Sequence, residues 1–208
     1  MPAAVFAHVR DAILLELALY GCLARWIIRR PAVPRGATPI GYAQLVGPML
    51  WLWIFGSATE AVVVEVVLRQ IDTGWAEAIR LPFLVVGIWG VLWMLGLMAS
   101  YRMRPHLLTD DTLRIRNSAR TWVDVPLAAI ASTQSAEHEL PGIVKSVHLD
   151  GGLLLVGVGS RTNLELKLTE STVLRTSKGD VTADRVDLWV DDPRGVAAQL
   201  RAGLAAPR

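Results

Sequence analysis

The pattern of hydrophobic and polar positions along this 208-residue chain changes near its middle. From Tyr42 to Thr59 there are 18 residues without a charge, and from Leu81 to Tyr101 there are 21. A helix needs about 20 apolar residues to cross the hydrocarbon core of a bilayer. Two spans are therefore predicted, over 42–69 and 81–104. Gly47-Pro48 is expected to kink the first near its start. Pro82 falls in the first turn of the second, where its missing N–H does no harm. Residues 3–28 are also largely apolar, but His8, Arg10, Asp11, Glu16 and Arg25 scatter around a helix instead of gathering on one face. This segment reads either as a third span or as a helix lying at the membrane interface.

From Pro105 onward the long apolar runs give way to short alternating ones. In Leu113-Arg114-Ile115-Arg116 apolar and charged residues alternate as in a half-buried strand, and Asn163-Leu164-Glu165-Leu166-Lys167-Leu168 repeats the pattern. Strands are expected at His106–Thr109, Thr112–Asn117, Thr121–Val125, Ile130–Glu137, Lys145–Leu149, Leu153–Val158, Asn163–Thr169 and Arg185–Val190. Asp110-Asp111, Asn117-Ser118, Pro141-Gly142 and Asp150-Gly151-Gly152 supply turns between them. Residues 170–184 are polar and read as a loop or hairpin. Asp191-Asp192-Pro193 offers a helix N-cap with proline in the first turn, and Val196, Leu200 and Leu204 recur at helical spacing. The expected fold class is α+β. A membrane-anchoring helical segment, 1–104, precedes a soluble domain, 105–208, built as an antiparallel β-barrel of about seven strands with a C-terminal helix.

Charge fixes an orientation. Arg25, Arg29, Arg30 and Arg35 precede the first long span, and Arg102 and Arg104 end the second. The loop between the spans has only Arg69 and Arg80, accompanied by Asp72 and Glu77. The positive-inside rule then places residues 70–80 outside and the C-terminal domain in the cytoplasm. A sequence pI near 9.0 suggests nucleic acid as a partner, but the excess lies in the helical half. Residues 1–104 have nine Arg against six Asp or Glu, whereas 105–208 have twelve Lys or Arg against thirteen Asp or Glu. A soluble domain so close to neutral lacks the basic face that nucleic-acid binding needs.

Tyr101-Arg-Met-Arg-Pro-His-Leu-Leu-Thr-Asp-Asp-Thr-Leu-Arg-Ile-Arg, then Val125-Pro-Leu-Ala-Ala-Ile130, then Val186-Asp-Leu-Trp-Val-Asp-Asp-Pro follow a helical hairpin. This order resembles the membrane-anchored bacterial pleckstrin-homology-like (bPH) proteins over residues 80–204. The resemblance implies a seven-stranded barrel plugged by a C-terminal helix, oligomerisation and no catalysis, and it brings no set of site residues. Residues 170–185 are longer than that pattern. A bacterial inner-membrane, multi-pass location follows from the resemblance together with the spans.

Chemistry is sparse. There is no Gly-rich phosphate loop, nucleophile elbow or cofactor fingerprint. His138-Glu139 begins like a zinc-protease motif, but position 142 is Gly, and His8, His106, His138 and His148 have no ligand spacing. No catalytic, metal or cofactor set is legible. Cys22, the single cysteine, excludes an intramolecular disulfide. Leu19-Tyr20-Gly21-Cys22 matches a lipobox only loosely, given Glu16, the bulky Tyr20 and the arginines downstream. Glu60 lies deep in a span and Glu65 closer to its end, and carboxylates at that depth are costly. An Arg10–Glu60 ion pair between antiparallel helices is the expected resolution, with an ion path as the alternative. Trp89 and Trp93 share one helix face and are expected to pack between helices or subunits. Arg114, Arg116 and Arg120 are candidates for a phosphate or lipid headgroup, set against a plain solvated strand face. The functional expectation is a non-enzymatic membrane-anchored scaffold or accessory subunit. Its partners would be membrane lipids, copies of itself or another membrane protein. A transporter or channel component using the intramembrane carboxylates is the alternative.

Overall fold

The computed structural model describes residues 2–140 and 147–205. Among the described residues four helices and eleven strands follow one another. Helix α1 (Pro2–Ile27) leads to a connector holding strand β1 (Thr38–Ile40), then to α2 (Gly47–Gln70) and α3 (Gly74–Met103). Pro48 sits in the first turn of α2, so the Gly47-Pro48 pair starts this helix where a kink was expected. Helix α3 begins well before its apolar run, with Glu77 in the first turn against the positive end of the helix dipole. Pro82 therefore lies inside α3, not in its first turn.

Helices α1 and α2 both pack on α3. Close approach occurs at glycines. A Cβ on Gly96 would stand 3.1 Å from Leu19 Cβ, and one on Gly87 would stand 2.9 Å from Ala61 Cβ. Small residues at such crossings let backbones meet where lipid supplies no hydrophobic drive. Helices α2 and α3 are long and apolar enough to cross a bilayer, and only 6% and 11% of their apolar windows is buried. A soluble core helix would be mostly covered, whereas Phe55, Val63, Phe83 and Val86 face outward here.

The strands that follow are β2 (His106–Leu108), β3 (Thr112–Asn117), β4 (Thr121–Pro126), β5 (Ile130–Gln134) and β6 (His138–Glu139). A single 3₁₀ turn, Leu127–Ala129, separates β4 from β5. Then come β7 (His148–Asp150), β8 (Leu153–Val156), β9 (Arg161–Thr162), β10 (Leu164–Thr176), β11 (Gly179–Leu188) and helix α4 (Pro193–Ala205). The Pro141-Gly142 turn and the start of the expected Lys145–Leu149 strand lie outside the described residues. Gly151 and Gly152, with φ of 50° and 87°, make the two-residue turn between β7 and β8 that β-branched or bulky residues would resist.

Strand order in the main sheet is β1-β2-β3-β4-β10-β11-β8-β7, with β5 also beside β10. All pairings are antiparallel except β8 with β11. Strand β10 changes partners along its length. Its first half pairs with β5 and its last residues pair with β4, across an irregularity between Lys167 and Thr172. Leu113, Ile115, Val123, Leu166 and Leu188 turn into one core, which Val196 and Leu200 of α4 complete. The result is a mostly antiparallel open sheet with a helix on it. Among the described residues no strand pairing joins β1 to β7 to close the expected barrel. Residues 170–184 take the hairpin alternative: they are the distal halves of β10 and β11, paired antiparallel, with Leu174 and Ala183 fully buried.

Candidate functional site

The helical part and the sheet meet in a bonded junction, and most of its contacts involve the connector between α1 and α2. Strand β1 pairs with β2, matching Thr38 to Leu108 and Ile40 to His106. Pro39, which has no N–H to give, sits on this edge strand, where a proline is tolerated. Just beyond, Tyr42 is buried and stacks flat on His106, with centroids 4.4 Å and planes 13° apart. Tyr101 of α3 meets Tyr42 edge-on at 5.7 Å. The Tyr42 hydroxyl lies by the Ser118 backbone without a hydrogen bond of good geometry.

His106 is held neutral. The Arg116 backbone N–H donates to His106 Nδ1 at 2.9 Å, so the proton resides on Nε2, which donates to the Trp189 carbonyl at 2.9 Å. Burial pushes its pKa down to about 4. The buried Arg116 side chain donates to the Ala32 carbonyl at 2.8 Å, and Ala32 N–H donates to the Met103 carbonyl at 2.8 Å. Arg104 donates to the Ser118 carbonyl at 3.2 Å. Asp191 accepts from the backbone N–H groups of Ala43 and Gln44, at 3.2 and 2.9 Å. At the same level Trp26 and Trp51 lie 6.5 Å apart, and Arg102 sits over Trp26.

The three arginines proposed for a headgroup do not converge on open solvent. Arg114 makes a two-pronged pair with Asp124, at 2.6 and 2.7 Å, and lies over Trp122. Arg116 is in the junction, and Arg120 reaches the Asp11 carbonyl of α1 at 3.3 Å. Nor are Arg10 and Glu60 brought together. Helix α1 packs on α3, and its Arg10 has Asp11 at 3.8 Å. Glu60 instead opens into a groove of about 240 Å³ between α2 and α3, lined by Ser57, Ala61, Phe83, Gly87 and Gly90. Among the described residues no ion pair reaches it. Glu65 pairs with Arg69 at 2.7 Å and Arg80 at 3.6 Å, close to the end of α2. Glu16 accepts from Tyr20 at 2.8 Å and from the Trp89 indole N–H, tying α1 to α3.

One cluster has no counterpart in the sequence reading. Glu165 and Asp187 are cross-strand partners on β10 and β11, and the segment carrying His138 folds over them. Asp187 is fully buried and Glu165 nearly so. His138 Nδ1 is 2.5 Å from Asp187 Oδ2. This is ion-pair distance, yet neither Asp187 oxygen has a hydrogen bond of good geometry. Burial raises the Asp187 pKa to about 6 against the opposing pull of His138. Gln134 donates to Glu165 at 3.0 Å. The three residues come from β6, β10 and β11, so no linear spacing announces them.

No family model, curated protein or solved structure matches this chain.

Proposed function

We propose that the chain is a non-enzymatic, membrane-anchored PH-like module. It acts as a scaffold or accessory subunit at the cytoplasmic face of a bacterial inner membrane. The observation that carries this reading is the bonded junction: strand β1, Tyr42 on His106, Arg116 on Ala32 and Asp191 on the α2 approach fix the sheet to the helices. A domain on a flexible tether explores; one clamped in this way presents the same surface at the same height above the bilayer. Arg25, Arg29, Arg30, Arg35 and Arg102 lie toward the sheet end of the helices, with Asp72 and Glu77 at the other, which supports a cytoplasmic sheet. Trp26 and Trp51 beside Arg102 suit the headgroup level.

Glu60 supports a partner within the membrane. A carboxylate there costs about 2.5–3.5 kcal/mol on insertion scales unless it is met. The adjoining groove, where Gly90 leaves open space beside the Gly87–Ala61 crossing, admits a helix closely. The proposed occupant is a transmembrane helix of another subunit that brings a cationic side chain to Glu60. Gentle extraction of the tagged protein from its own membranes, with identification of everything retained in stoichiometric amount, tests this. A defined partner lost on Glu60→Gln supports the accessory-subunit reading, and recovery of the protein alone overturns it. The same groove favours the second reading, a transport component. Flux in reconstituted vesicles that Glu60→Gln abolishes, with assembly intact, would establish that reading instead.

A further inference from the structure

We propose that His138, Glu165 and Asp187 bind a single divalent first-row transition-metal cation, for which Zn²⁺ is the best fit. Leu164, Leu166 and Leu168 turn into the core, so Glu165 lies on the opposite face of β10, as Asp187 does on β11 between Val186 and Leu188. That face would ordinarily be wet. Here the turn of chain around β6 covers it, held by the β6–β9 pairing and the buried Leu140. Two carboxylates directly opposite one another repel, and burying them without a countercharge is costly. The neighbouring Arg185 pairs with Asp184 at 4.0 Å, and Lys167 is exposed. Among the described residues His138 is the one cationic candidate touching Asp187. It stands at ion-pair distance, yet neither Asp187 oxygen has a hydrogen bond of good geometry despite complete burial.

A cation resolves every part of this. One ligand atom from each residue lies within 4.8 Å of the others. Metal bonds of about 2.0–2.2 Å in a tetrahedral site place ligand atoms about 3.4 Å apart, so side-chain rotations are what would close the set. The donors are one imidazole nitrogen and two carboxylate oxygens. Imidazole disfavours Mg²⁺ and Ca²⁺, which want six or more oxygens. Gln134 holds Glu165 from behind, as outer-shell partners of metal ligands do. The His138 side chain is 41% exposed, which gives the ion a way in and leaves a water-facing fourth position.

The test uses the full chain in detergent micelles, without a polyhistidine tag, stripped by a chelator and titrated with ZnCl₂. Calorimetry and metal analysis after gel filtration are expected to give one Zn²⁺ per chain, with a raised melting temperature and no response to MgCl₂. His138→Gln, at a partly exposed ring that the fold tolerates losing, is expected to weaken binding by more than about 100-fold, and Gln134→Ala by about tenfold. Failure to retain one Zn²⁺ per chain overturns the site. So does wild-type affinity in His138→Gln, and the cluster is then a proton-sharing carboxylate pair.

Discussion

The Tyr42 ring lies flat on the His106 imidazole, with centroids 4.4 Å apart, and so joins the connector between α1 and α2 to the first strand after α3. Both side chains are almost fully buried, and both belong to segments that would otherwise be free hinges. Stacking alone is worth about 0.5–1.5 kcal/mol beyond burial. Its larger effect is geometric, since fixing this pair fixes where the sheet stands relative to the helices.

Tyr42→Ala is expected to destabilise the junction by about 3–5 kcal/mol, the usual cost of emptying a buried aromatic site. Tyr42→Phe is expected to change stability by less than about 1 kcal/mol, because the hydroxyl it removes is buried without a good hydrogen bond. Denaturant midpoints of both variants in the same micelles check the contrast. Equal losses would show that the hydroxyl, and not the ring, matters.

His106 sets an acid limb on stability. Its folded pKa is about 4 against 6.5 in the unfolded chain, because burial disfavours the imidazolium and Arg116 opposes it. Tyr42 stacks on it from the connector, Tyr101 stands behind Tyr42, and the Trp189 carbonyl accepts its proton. Between those two values the unfolded state binds the extra proton, so stability falls as pH drops from 6.5 to 4 and is unaffected by this group above 6.5. The full loss is about 3 kcal/mol. His106→Gln retains a donor and an acceptor but does not titrate. The difference between wild type and variant in unfolding free energy is expected to shrink across that window. A parallel pair of curves would refute the assignment.

Much of this was legible in the chain. The β3 strand falls on Thr112–Asn117, where the alternation put it, and α4 starts at Pro193 behind its aspartates. Strand β1 was not legible, because Thr38-Pro39-Ile40 is too short for a period and becomes a strand only by meeting β2. The halves of β10 and β11 beyond Leu168 read only as a loop or hairpin for another reason. They expose most side chains, and only Leu174 and Ala183 show which face is inward. Arg116 shares its alternation with the exposed Arg114, and nothing local reveals that Ala32, far back in the chain, supplies its acceptor. The His138, Glu165 and Asp187 cluster draws on three strands, and convergence of that kind leaves no spacing to read.

Neighbouring aspartates Asp191 and Asp192 divide two tasks. Asp192 accepts the Gly195 N–H at 3.0 Å and caps α4, whereas Asp191 turns back to the Ala43 and Gln44 N–H groups. Asp192→Ala is expected to cost about 1 kcal/mol and to speed amide exchange in the first turn of α4. Asp191→Ala is expected to cost about 1.5–3 kcal/mol, as bonds to a charged acceptor do, and to speed exchange over residues 40–46 instead. Hydrogen exchange followed by mass spectrometry separates the two patterns, and identical patterns would mean that the aspartates act as one unit.

Glu16 and Glu60 are both carboxylates on long apolar helices, yet their surroundings differ. Glu16 bridges Tyr20 and Trp89, so Glu16→Leu leaves two donors unpaired and is expected to loosen α1 from α3 by about 1–3 kcal/mol. Glu60 faces its groove and has no ion pair among the described residues, so Glu60→Gln is expected to stay within about 0.5 kcal/mol of wild type. Because α1 packs on α3 and Arg10 lies by Asp11, the doubly exchanged Arg10→Glu, Glu60→Arg chain is expected to gain nothing over its single variants. Unfolding in micelles, read for all five variants, checks these together. Rescue by the exchange would restore the Arg10–Glu60 pair and remove the need for a cation from elsewhere. Indifference to Glu60→Gln leaves that carboxylate free for the proposed partner, and an unchanged fold energy with a lost partner is then the expected result in one sample.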